Sequence, residues 1–246
     1  MSGLTNAHIA SQSRLRAIVE QLVTTAWTTL PAYNEPDVDP FLAQVVPVVL
    51  AAQRQSAALT DAYLARALER QPLGIPAALV TGAALRAGSQ PQDVYRRPFV
   101  TVWTALAAGA QWQDATAAGL ARAQSMAAMD VQLASRATFA QVQERDTTIF
   151  GYQRRADPGA CPFCVLVDGA YVKSADAMPL HNRCGCSLEP LTGAHRLAVE
   201  LPDGTRIRDF QGGPLTSTPP PAQVAVEQHG ELGPLLVDPS QHFAQV

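Results

Sequence analysis

With 246 residues, the chain is long enough for one large domain or for a helical domain with a smaller attachment, and its 47% apolar residues supply a sizeable core. Only 16% of residues are charged, which excludes an extended, solvated polymer, and the net charge of -3 excludes a surface built throughout to coat nucleic acid. The most apolar run, residues 41–52, is interrupted by Gln44 and Pro47 and is too short to span a bilayer. Residues 1–20 lack the basic-then-apolar layout of a secretory signal, so the expectation is a protein that stays in the cytoplasm where it is made, with no membrane partner.

In chain order, the first predicted element is a helix over residues 11–30. Leu15, Ile18, Val19, Leu22, Val23 and Trp27 recur at helical spacing, and Pro31 supplies the stop. A second long helix is expected over residues 40–71, with Pro47 marking a kink or the true start and Leu59, Tyr63, Leu64 and Leu68 continuing its apolar face. A short helix over residues 76–87 follows, closed by Gly88. Another opens at Pro91 and carries Phe99, Val102, Trp103 and Leu106. Residues 113–147, rich in Ala, Gln and Arg, read as a long helix whose small residues permit close helix–helix approach, in an ordinary bundle or against a partner. The helical half also holds Trp27, Trp103 and Trp112, a residue type enriched at interface hot spots.

The character changes after Thr148. Residues 151–192 are turn-rich and contain all four cysteines, and residues 197–210 pattern as a hairpin about Pro202-Asp203-Gly204. Beyond Gly212 comes a Pro-containing tail with too little apolar material to fold alone, apart from a short strand pattern at residues 223–226. No internal repeat is present. The fold expected is therefore mainly α. A helical docking domain covers residues 1–147, a small α+β metal-clipped segment residues 148–213, and an extended tail residues 214–246.

The chemistry concentrates in Cys161-Pro-Phe-Cys164 and, after sixteen intervening residues, His181-Asn-Arg-Cys184-Gly-Cys186. Two cysteines separated by two residues can offer both sulfurs to one ion from a tight turn, and a second cluster about twenty residues later completes a tetrahedron. Five candidates, Cys161, Cys164, His181, Cys184 and Cys186, compete for four positions. Cys161 and Cys164 form the first pair; the second comes from the other three. Soft sulfur with imidazole suits a structural zinc. Reduced core cysteines and late-forming disulfides are the competing readings. A thioredoxin-like pair lacks its strand-then-helix context, and a catalytic zinc would need an open position. The remaining histidines, His8 in the N-terminal segment, His195, His229 and His242, read as surface residues. No nucleophile elbow, Walker loop, zincin helix or dinucleotide fingerprint occurs.

The run Gly151-Tyr-Gln-Arg-Arg155, Cys161-Pro-Phe-Cys164, Ala170-Tyr-Val-Lys-Ser174 and His181-Asn-Arg-Cys184-Gly-Cys186 resembles the MuF-like minor head proteins of tailed phages, especially those of actinobacterial hosts. Gln228-His-Gly-Glu-Leu-Gly-Pro-Leu235 is similar to an ending found in the same proteins. Gly185 departs from the arginine usual before the last cysteine. The resemblance implies a minor capsid protein of the virion, inside the head near the portal, acting in head assembly and DNA packaging or delivery. The portal protein is the implied partner, with contacts to the major capsid or scaffolding protein and to packaged DNA also compatible. It does not imply an enzyme. Some related genes are described as capsid maturation proteases, and for that alternative the region offers only Ser174 or Ser187 with His181 or His195.

Overall fold

In the computed structural model, residues 3–175 and 184–192 are described, together with the backbone of residues 199–200 and 206–207. The order is α1 (Gly3–Thr28), α2 (Glu35–Ala67), α3 (Ala77–Val80), a 3-10 turn (Gly82–Arg86), α4 (Pro91–Ala107), α5 (Trp112–Arg145), β1 (Ile149–Arg155), α6 (Pro162–Leu166), β2 (Tyr171–Val172), β3 (Ser187–Thr192), β4 (Val199–Glu200) and β5 (Arg206–Ile207). The protein is mainly α, as its periodicity requires. Among the described residues no helix is long and apolar enough to cross a membrane.

Helix α5 packs against α1, α2 and α4, which makes it an internal bundle helix. Its composition explains the position. Ala115, Gly119, Ala123 and Ala127 recur every fourth residue and are all buried, so one ridge of the helix carries almost no side-chain volume. A Cβ added at Gly119 would lie 2.5 Å from Val102 Cγ2 and 2.6 Å from Trp27 Cζ2. The aromatic trio Trp27, Phe41 and Phe99 fills the space opposite, with ring centroids 5.1 to 5.4 Å apart. Trp27 therefore belongs to the core and is not available as an interface anchor, while Trp112 is 48% exposed.

Three sequence expectations need correction. Helix α2 begins at Glu35, ahead of Pro47, which sits inside it together with Pro40. Each proline removes one backbone hydrogen bond. Burial of Phe41, Val45, Val46 and Val49 holds the helix through both positions. At the start, Asp37 accepts from the backbone N–H of Asn34 at 3.1 Å. The single helix expected over residues 76–87 is divided: Thr81 is extended after α3, and the 3-10 turn opens at Gly82 with φ 62°. Helix α1 starts at Gly3, eight residues early, and so carries His8 into the interior: it is 4% exposed and stacks on Tyr63 at 4.5 Å.

His8 titrates accordingly. Burial holds its pKa down at about 4, against 6.5 for a free imidazole. The unfolded chain thus binds a proton that the folded chain refuses between pH 6.5 and pH 4. The stabilisation is complete above 6.5 and lost as pH falls through that window, by about 3 kcal/mol in all. Denaturant unfolding at a series of pH values should show this loss in the wild type. His8→Phe, which keeps the stacking but cannot titrate, should be more stable than the wild type by that amount at pH 4 relative to pH 7; parallel pH profiles for the two would refute it.

A polar layer crosses the bundle below the aromatic trio. Gln12, Ser56, Thr60 and Ser135 hydrogen-bond to one another, and the Ser56 hydroxyl donates to Val131 O at 2.7 Å. Beyond it the helices share a second core with the sheet. Tyr63, Leu64, Phe139 and Val142 pack against Ile149, Tyr152, Val172 and Leu188. The Tyr152 hydroxyl donates to Phe139 O at 2.7 Å, and that of Tyr63 to Leu188 O at 3.2 Å. The sheet order is β2-β1-β3, antiparallel throughout, with Arg155 opposite Ser187. The expected hairpin is present: Val199 pairs with Ile207 and Glu200 with Arg206. The turn between them, the tail after residue 207 and the strand pattern at 223–226 lie outside the described residues.

Candidate metal centre

The β1–β3 register builds the site. Because Arg155 faces Ser187, the chain leaving β1 and the chain entering β3 emerge at one end of the sheet. The first leads through Asp157 to Cys161, which precedes α6, and to Cys164 within it; the second delivers Cys184 and Cys186. The sulfurs of Cys164, Cys184 and Cys186 all lie within 4.8 Å of one another, and all three residues are buried. Tetrahedral zinc with bonds of about 2.3 Å places its sulfurs about 3.8 Å apart, so a modest contraction would seat an ion. Cys161 packs at the rim of the cluster and is only partly buried. His181 lies outside the described residues. The structure thus brings together three of the five candidates and keeps a fourth adjacent. No disulfide joins any of the four cysteines.

The helical body grips this loop directly. Cys184 O accepts from Arg16 Nη1 of α1 at 2.8 Å and from Gln132 Nε2 of α5 at 2.7 Å. Arg16 also pairs with Asp157 at 3.0 Å, and Ser13 donates to the same carboxylate. Gly185 sits beneath that pair: a Cβ there would meet Asp157 Oδ2 at 2.0 Å. Any side chain at this position would have to displace the Arg16–Asp157 clasp.

Arg154, on β1, is 1% exposed, and its Nη2 donates to Cys164 Sγ at 3.1 Å, with Cys184 Sγ at 3.7 Å. Burial lowers its pKa, but the neighbouring sulfurs, Cys186 foremost, outweigh that and raise it. Hydrogen bonds from the other two thiols, then the Arg154 charge, pull Cys186 down toward the thiolate. Cys164, donating to the other sulfurs and buried, is pushed up. Cys184 is also pushed up, so in the metal-free cluster one sulfur, that of Cys186, carries the negative charge beside the Arg154 cation while the other two stay protonated. Sequence patterning gives no sign of this role for Arg154; alternation along β1 places it opposite in facing to Arg155, whose guanidinium pairs with Glu189 at 2.5 Å.

The VG15 protein family matches residues 3–208, spanning the helical body, the cysteine cluster and the hairpin. The chain belongs to the VG15 family of phage proteins. No curated protein and no solved structure matches it. For this VG15 member the matched range ends before residues 228–235, so that part of the MuF-like resemblance falls outside it. Ser187, offered for a protease, is 6% exposed within β3, and its hydroxyl has no partner among the described residues. Ser174 is only partly buried, and His195 is outside the described residues.

Proposed function

We propose that this chain is a minor capsid protein of a tailed phage that acts at the portal vertex, in head assembly and DNA packaging or delivery, and that it does so without enzymatic activity of its own. The observation that carries the reading is convergence. The segments that resemble MuF-like head proteins are the ones that supply Arg154, Cys161, Cys164, Cys184 and Cys186 to one centre. Membership of a phage family supports the same assignment.

In this reading the cluster holds one structural zinc. Three buried sulfurs suit a soft divalent ion and give calcium or magnesium nothing to bind. The fourth ligand comes from Cys161 or His181. The metal's work is to pin the β1–β3 end of the sheet to α1 and α5, fixing the surface presented to the portal. The protease alternative finds less support, since the buried Ser187 has no base beside it among the described residues.

Co-expression of the full chain with the cognate portal protein and major capsid protein tests the reading. The chain should co-purify with the portal, and heads assembled without it should be fewer or fail to package DNA. Recovery of the chain with capsid shells that lack a portal would overturn the portal assignment. Capsid-protein cleavage abolished by Ser187→Ala would install the protease reading instead.

A further inference from the structure

We propose that Arg154 is the built-in counter-cation of the metal centre, making three thiolates and one divalent ion a charge-neutral buried unit and shielding the bound sulfurs from reaction. The inference rests on the metal reading above and assigns a role within it. A guanidinium is charged at any accessible pH, and enclosing one in a protein interior is costly unless opposite charge and hydrogen-bond acceptors lie beside it. Arg154 is 1% exposed, and its Nη2 is directed at two of the clustered sulfurs. With the three sulfurs ionised and a divalent ion bound, the centre carries one net negative charge, and Arg154 cancels it. A fourth ligand that is neutral keeps that balance; a fourth thiolate leaves a single negative charge.

The fork of N–H donors adds a second effect. Each N–H···S bond withdraws charge from a metal-bound sulfur and lowers its reactivity toward electrophiles, and a planar guanidinium can address several sulfurs at once. Lysine would restore the charge without the fork. The backbone keeps the donor in place: Arg154 N donates to Ala170 O at 2.8 Å, and Arg154 O accepts from Gly169 N at 2.9 Å, so the residue is fixed on the β2 side while its side chain reaches the cluster.

The test uses the full chain, purified reduced and loaded with zinc, beside Arg154→Met and Arg154→Lys. Zinc affinity is read by competition with a chromogenic chelator, and cobalt(II) uptake by its thiolate charge-transfer and ligand-field bands. Reactivity is read as the rate of alkylation of the zinc-bound sulfurs by iodoacetamide. Arg154→Met should hold zinc at least tenfold more weakly, shift the cobalt charge-transfer band and be alkylated at least several-fold faster. Arg154→Lys should recover most of the affinity and little of the protection. A folded Arg154→Met with wild-type affinity, spectrum and alkylation rate overturns the proposal. Should that variant fail to fold, Arg154→Lys decides, and a wild-type spectrum and alkylation rate there overturn it equally. Wild-type chain that takes up neither zinc nor cobalt overturns the metal reading, and this role with it.

Discussion

Asp130→Ala should lower the unfolding free energy by about 3–5 kcal/mol, one of the largest effects open to a single substitution in the helical body. Asp130 lies on α5 with its side chain 3% exposed, and its carboxylate is shared by two other elements. Arg86 of the 3-10 turn donates to Oδ1 from Nε at 2.8 Å and from Nη2 at 2.5 Å, while the Tyr95 hydroxyl of α4 donates to Oδ2 at 2.7 Å. Burial raises the carboxyl pKa, and Arg86 and the Tyr95 hydroxyl oppose that rise. Truncation strands two polar groups at once, one of them a partly buried cation and the other a hydroxyl on a fully buried ring. Urea unfolding measures the loss. A companion triple variant, Asp130→Leu with Arg86→Met and Tyr95→Phe, should recover much of it, because replacing a whole buried network with apolar groups removes the stranded partners. A loss below about 1 kcal/mol for Asp130→Ala would show that the network is relaxed or hydrated in solution.

That network illustrates where the sequence was legible and where it was not. The long helices announce themselves, because their apolar residues recur every three to four positions, and the α5 small-residue ridge is visible as Ala115, Gly119, Ala123 and Ala127. The cysteine cluster is legible from spacing, since only residues that share an ion or a core need such regularity. Asp130, Arg86 and Tyr95 carry no such signal: their partnership depends on how three elements cross, which no local pattern encodes. Arg154 and Arg155 are adjacent and alike in sequence, and only strand alternation combined with the β1–β3 register sends one to the sulfurs and the other to Glu189. His8 was misplaced for a related reason. A polar residue near a chain end reads as exposed until Tyr63, fifty-five positions away, is seen stacked on it.

Cys164→Ser combined with Cys184→Ser should reduce bound zinc from about one per chain to a trace and should loosen the sheet selectively. Structural zinc contributes folding free energy outright, because the ligands are not pre-assembled in the unfolded chain. Here part of that stabilisation is duplicated: Tyr152 and Leu188 are fully buried against the helices, so β1 and β3 retain a core without the ion. Among the described residues, the loop from Asp157 to Cys164 and the segment 184–186 have no comparable apolar support, their small cluster consisting of the cysteines with Ala156 and Ala160. Loss of the two sulfurs also removes the Cys164 and Cys184 partners of the buried Arg154 cation, leaving it Cys186 and two shorter hydroxyls. Amide exchange in Ile149–Arg155 and Ser187–Thr192 should therefore accelerate by at least tenfold, and the Arg16–Asp157 pair should open. Amides along α4 and the middle of α5, anchored by Trp27, Phe41 and Phe99, should keep wild-type protection. Elemental analysis of reduced protein gives the zinc content, and a chelator added to the wild type should reproduce the exchange pattern of the double variant. Wild-type protein free of zinc, or a double variant whose sheet exchanges at the wild-type rate, would show that the cluster is a packed set of thiols and that the helices alone hold the sheet in place.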